Sequence, residues 1–213
     1  MREPLFDFPD DQYVIDNTAI PQLHIHIGLP SKMVVYIENA AGEDFVMDFI
    51  TREGVKRAER RYGSTFQGNQ ASKLLKVISK LRLDARKLPL HVAVKVIAVI
   101  RAMEMFRDVQ QFCFGNVLYA DYKEKIAMFS QQYRSLPMAT LPPKFHCTES
   151  HIVDFLERHG DGKTGLGAWS EQAMESCHHL FDVEWEKVKV APDHPKYGEA
   201  LLALVCRFNS SHI

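Results

Sequence analysis

Residues 88–115 read LPLHVAVKVIAVIRAMEMFRDVQQFCFG, and two structures compete for them. The β-branched run from Val92 to Ile100 suits a strand. Against that, apolar and polar residues do not alternate, and the stretch is several times longer than an ordinary strand. Apolar side chains surround the helical wheel instead of forming one stripe, which is the pattern of a buried central helix. A helix from about Pro89 to Gly115 therefore anchors a mostly α fold, and Met103, Met105 and Phe106 on it read as core.

Working outward, the flanks repeat the helical period. Upstream, NQASKLLKVISKLRL (69–83) puts Leu74, Leu75, Ile78 and Leu81 on one face, with Asn69 as its N-cap. TREGVKRAERRY predicts a charged helix capped by Thr51 and ended by Gly63. SKMVVYIENAAGEDFVMDFI (31–50) predicts two helices joined at Gly42, the first capped by Ser31. The first 22 residues carry Pro4, Pro9 and Pro21 without a period and read as an extended arm or strand. Downstream, NVLYADYKEKIAMFSQQYRSL spaces Val117, Tyr122, Ile126, Phe129 and Tyr133 helically.

PMATLPPKF, with Pro137, Pro142 and Pro143, then breaks the pattern and marks the best internal boundary. Three further helices are predicted: one capped by Thr148, one capped by Ser170, and one with Pro195 in its first turn. The last carries Leu201, Leu202, Leu204, Val205 and Phe208, an apolar face for packing on the core or for an oligomer contact. The glycine-rich HGDGKTGLG (159–167) lacks the order of a phosphate-binding loop and has no preceding strand. The expected organisation is an arm over 1–22, an insertion-like helical domain over 23–136, and a helical segment over 137–213 packed on it. Any β structure is small, near the N-terminus and around 144–147.

Composition narrows the functions. Of 213 residues, 46% are hydrophobic and 25% charged, which is ordinary for a globular protein. A net charge of -1 argues against a general nucleic-acid binder. A local basic patch remains in Arg52, Lys56, Arg57, Arg60 and Arg61, offset by Glu53 and Glu59; a solvated helix face is the plainer reading. No apolar signal core and no run of about 18 apolar residues is present, so no membrane partner is expected. Cys113, Cys147, Cys177 and Cys206 are widely spaced without a C-x-x-C pair, pointing to free thiols in an intracellular protein, nuclear or cytoplasmic.

Five of the ten histidines lie between residues 146 and 179. In WSEQAMESCHH (169–179), a helix would put Glu171, Glu175 and His178 or His179 on one face, extended by Asp182. Such a face suits a divalent cation, and it is equally an ordinary helix surface. In KFHCTESH (144–151), Cys147 and His151 stand four apart beside His146; Cys177 or His178 would complete four zinc ligands, or the set is simply packed and solvated. Asp16, in VIDNTA, reads alone as a turn residue.

Five phrases, in order, resemble a group of transposon-derived animal proteins: LHIHIG (23–28), YGSTFQGNQASKLLK (62–76), LPPKFHCTESH (141–151), LGAWSEQAMESCHH (166–179) and HPKYGEALLALVCRFNSSHI (194–213). Longer members of that group look like cut-and-paste transposases of the RNase H-like class. There, two aspartates and a late glutamate hold two divalent cations for in-line phosphoryl displacement. The resemblance implies Glu175, or else Glu171, as the final acid, Asp16 as the second, and residues 30–135 as the family's helical insertion. The strand-borne first aspartate has no counterpart, and the chain is expected to begin where the family's later part begins.

Three functions follow as expectations. The first is a transposase-derived, non-catalytic module engaging a protein partner, itself or DNA. The second is a remnant nuclease or strand-transferase using Asp16, Glu171 and Glu175 with magnesium or manganese. The third is a helical domain stabilised by zinc on His146, Cys147, His151 and Cys177 or His178.

Overall fold

The computed structural model describes residues 19–60, 63–137, 139–170, 180–181, 183–187, 190–191 and 193–212. The fold is mostly α. The chain divides into two units, residues 1–170 and 171–213. Among the described residues no helix is long and apolar enough to cross a membrane.

In the first unit the order is α1 (Gln22–Ala41), α2 (Glu43–Arg52), a ribbon of β1 (Ala58–Arg60) and β2 (Gly63–Thr65), α3 (Gly68–Val77), a 3-10 turn, α4 (Leu81–Ala85), α5 (Leu90–Val109), a π turn (Gln110–Phe114), α6 (Tyr122–Arg134), α7 (Pro143–Ser150), α8 (Ile152–His159) and a 3-10 turn (Leu166–Trp169). The 88–115 stretch is the central helix that its all-round apolar character predicts. Val96, Val99, Ile100, Ala102, Met103, Phe106 and Val109 of α5 are all buried. α1 packs along one side of α5 and α6 along another. α6 runs opposite to α5: Phe129 meets Phe106, at 5.1 Å between ring centroids, and Gln132 donates to the Ala98 carbonyl at 3.2 Å.

An aromatic row fills the middle of this core. Phe129 lies 5.9 Å from Phe145, and Tyr133 stacks on Phe145 at 4.3 Å with 18° between planes. Phe106, Phe129, Tyr133 and Phe145 are all fully buried. Offset and tilted contacts of this kind add to the apolar area that each ring removes from water.

The structure departs from the sequence reading in several places; among the smaller ones, Asn69 lies inside α3, whose N-cap is Gln67. First, no helix runs from Thr51 to Gly63. Gly54, at φ +63°, ends α2, with Val55 N–H donating to the Ile50 carbonyl (2.8 Å) and Gly54 N–H to Thr51 (3.0 Å). This is the Schellman arrangement, in which a left-handed glycine satisfies the last helical carbonyls. The chain then forms an antiparallel ribbon pairing Ala58 with Thr65, Glu59 with Ser64 and Arg60 with Gly63. Second, residues 144–147 are helical. Pro143 occupies the first turn of α7, where its missing N–H costs nothing. Thr148 lies inside that helix, its hydroxyl donating to the Lys144 carbonyl at 2.8 Å. Ser31 is likewise internal, in α1, and donates to the Ile27 carbonyl at 2.8 Å.

Third, the proline-rich 137–143 segment is not the boundary between units. Phe145, Ile152, Leu156 and Leu166 beyond it belong to the same buried core as α1 and α6. The segment is fastened from within. The Tyr36 hydroxyl lies 3.2 Å from the Tyr133 hydroxyl and 3.1 Å from Thr140 Oγ1, and it accepts the Thr140 N–H at 3.0 Å. Tyr133 donates to the Thr140 carbonyl at 3.2 Å. Tyr36→Phe leaves those groups short of a partner in a site where Tyr36 is 4% exposed. It is expected to cost about 1–3 kcal/mol, read from urea unfolding; a loss below about 0.5 kcal/mol would show that water replaces the hydroxyl.

In the second unit, residues 183–187 are helical and α9 spans Tyr197–His212. Trp185 meets Tyr197 edge-on at 5.8 Å and 85°, and Leu204 is buried. α9 begins at Tyr197, so Pro195 precedes its first turn.

Candidate functional site

Of the acidic set, Asp16, Glu171 and Glu175 lie outside the described residues, as do Cys177, His178, His179 and Asp182. Among the described residues no three His, Cys, Asp or Glu side chains converge as a metal site would require. The 144–151 set divides. Cys147 turns inward and packs against the hydrophobic core, where burial raises its thiol pKa. His146 and His151 turn outward and meet each other, with 3.2 Å between their Nε2 atoms. The expected Cys147–His151 pairing fails because it assumed a helix starting at Thr148. The real helix α7 starts five residues earlier and ends at Ser150.

Two of the five cations of the basic patch, Arg52 and Arg57, are neutralised. Arg57 pairs with Glu38 through both terminal guanidinium nitrogens, its side chain 11% exposed, and its guanidinium lies 5.9 Å over Phe66. Arg52 pairs with Asp84 at 2.5 Å and with Glu53 at 3.8 Å. Lys56 is exposed. The Arg60 side chain and all of Arg61 lie outside the described residues. Sequence reasoning missed these carboxylate partners because Glu38 and Asp84 are 19 and 32 residues away from their arginines.

The same pairing shapes the acid response. Burial works against a charge on Glu104, but the hydrogen bonds and charge of Arg82 outweigh it, so the carboxyl titrates below its ordinary value. The Arg52 hydrogen bond holds Asp84 down in the same way. A depressed folded pKa gives stability that is present above the unfolded value, near pH 4, and is lost as pH falls through the folded value. Glu104→Gln is therefore expected to lower Tm at pH 7 and to flatten its decline below about pH 4. Parallel Tm profiles for the two proteins would exclude this account.

The glycine-rich segment, as its sequence suggests, is not built to hold phosphate. The Asp161 carboxylate accepts the Lys163 and Thr164 N–H groups at 2.9 and 2.7 Å, so those loop amides already face an anion. The loop docks on 115–118: Leu118 N–H donates to the Lys163 carbonyl at 2.7 Å, and Gly165 and Gly167 N–H donate to the Asn116 and Gly115 carbonyls, each at 3.1 Å. Beside it lies an open pocket of about 490 Å³ lined by Leu118, Tyr119, Tyr122 and Leu156, where Lys123 and Glu157 pair with each other. A second, smaller groove of about 280 Å³ runs between α5 and α6, lined by Arg101, Met105, Met128 and Gln132. Neither holds a nucleophile beside a free base among the described residues.

The thiols do not supply one either. Cys113 is buried, and burial pushes its thiol up to about 12. Cys206 is an exposed free thiol.

Exposed apolar side chains form the remaining feature. Leu83 on α4 is 64% exposed, and Leu90 and Val94, one turn apart on α5, are 79% and 59% exposed. Compared with models of known protein families, with curated proteins and with solved structures, the chain matches none.

Proposed function

We propose that this chain is a transposase-derived helical module that binds a protein partner or a second copy of itself and does not carry out phosphoryl transfer. The resemblance of its sequence phrases to transposon-derived proteins motivates the origin. The observation that carries the binding half is the contrast in surface chemistry. Two of the five cations offered to DNA, Arg57 and Arg52, are tied to Glu38, Asp84 and Glu53, while Leu83, Leu90 and Val94 stand in solvent. Paired arginines release few counterions and give little affinity for a phosphate backbone. Exposed leucine and valine one turn apart favour apolar contact with another protein.

Two measurements test this reading. The full chain with magnesium or manganese is incubated with duplex DNA. No cleavage above the metal-only control is expected, and cleavage that disappears in Glu175→Ala would overturn the non-catalytic half. Duplex-DNA binding by fluorescence anisotropy is expected to be no tighter than about 10 μM at physiological salt, the non-specific range. Sub-micromolar binding that Lys56→Ala and Arg60→Ala weaken would make the module a DNA binder instead.

A further inference from the structure

His146 and His151 flank the break between α7 and α8. In an unbroken helix five residues advance a side chain by roughly 140° around the axis, so the two rings would not meet. The helix stops at Ser150, and His151, at φ -120° and ψ -23°, starts a new direction. That turn brings the Nε2 atoms to 3.2 Å, with the rings edge-to-face and their centroids 4.9 Å apart. Both side chains are exposed.

This spacing fits a metal ion. Zinc binds imidazole nitrogen at about 2.0–2.1 Å in tetrahedral geometry, which sets two nitrogen ligands about 3.4 Å apart. The observed 3.2 Å is within a few tenths of an ångström of that span, and both side chains are exposed, so the rings are able to turn until their Nε2 lone pairs converge on one ion. Its surroundings help. Ser150 Oγ lies 3.3 Å from His146 Nδ1, the nitrogen remote from His151. A proton on Nδ1, accepted by that hydroxyl, leaves Nε2 free as a ligand and fixes the ring.

We propose that His146 and His151 form a two-nitrogen clamp for a divalent transition-metal ion of the zinc class, with water in the open positions. Cys147, which faces the core, is not a ligand. The site is independent of the interaction role argued above. With two protein ligands rather than four, its dissociation constant is expected on the order of 1–100 μM, far weaker than structural zinc sites.

The test is calorimetric titration of the full chain with zinc chloride in a non-chelating buffer. The unsubstituted chain is expected to bind in that range. His146→Ala and His151→Ala are each expected to weaken binding at least about 10-fold, and Ser150→Ala less, the scale of lost ligands and supports. Both rings are exposed, so far-UV circular dichroism should not change. A readout that needs no substitution is the ring-nitrogen NMR spectrum: zinc should shift Nε2 of His146 and of His151 together. No zinc-dependent shift at either ring, or isotherms unchanged by both alanine variants, would overturn the proposal and assign any zinc uptake to other histidines.

Discussion

Phe129→Ala is expected to cost about 4 kcal/mol of stability, the largest effect of any single truncation considered for this fold. The ring is fully buried at the crossing of α5, α6 and α7, within 6 Å of Phe106, Tyr133 and Phe145 by ring centroids. Truncation loses the transfer energy of the ring and leaves a cavity between three helices that cannot all close on it, the circumstance in which Phe→Ala costs 3–5 kcal/mol. Domains of this size hold only about 5–15 kcal/mol in total. Urea unfolding should therefore show a large fall in the midpoint with an unchanged slope. Phe129→Leu, which keeps most of the volume, should cost no more than about 1.5 kcal/mol. If the alanine variant loses less than about 1.5 kcal/mol, the helices collapse onto the gap and the aromatic row is not the rigid centre described above.

Gly165→Val is the second large effect, and its cause is backbone rather than core volume. A Cβ at residue 165 would press on the Gly115 carbonyl oxygen and lie 3.0 and 3.1 Å from the Cys113 and Val117 carbonyl oxygens. All three are main-chain atoms, fixed by the π turn and by the loop pairing. They cannot move aside as a flexible side chain would. A loss of about 3 kcal/mol is expected, at the upper end of overpacking costs. The damage should be local first. Trp169 packs edge-on against Phe155 at 5.4 Å, so its emission should shift to the red in a Trp185→Phe background as the loop lifts off. Gly28→Ala makes the control. Its Cβ would meet the distal carbons and nitrogen of the Lys144 side chain, which can swing away, and the expected cost is under about 1 kcal/mol. Equal losses at the two glycines would refute the distinction.

Much of this architecture was legible in the residues. The all-round apolar wheel of 90–109 could only be a buried helix at that length, and the helical spacing of Tyr122, Ile126, Phe129 and Tyr133 gave α6 and its buried face, whereas Val117, read with them, precedes the helix, bridges Thr164 and is exposed. The Thr51–Gly63 error was avoidable: the Glu53-Gly54-Val55 triplet carries a helix stop, and charge content outweighed it in the reading. The placement of the unit boundary was not avoidable. Prolines mark a bend in the chain equally well within a unit and between units. What fixes 137–143 inside the first unit is the Tyr36–Thr140 bonding across 104 residues, which no local pattern encodes. The candidate site was harder still. Cys147 and His151 have ligand spacing, but a one-residue break in the helix decides that the two histidines meet while the thiol goes to the core.

That Tyr36–Thr140 bond has a further consequence during synthesis. At about 5–20 residues per second, the ribosome takes roughly 5–20 seconds to produce the 104 residues separating them. For the first part of that interval Ile25, Leu29, Met33 and Ile37 of α1, all fully buried in the finished protein, lack the α5 surface that covers them, and throughout it they lack that of α7. The nascent chain thus carries a sticky apolar helix for about half of its own translation, and a chaperone that shields residues 22–41 should raise the yield of folded protein more than one that acts after release.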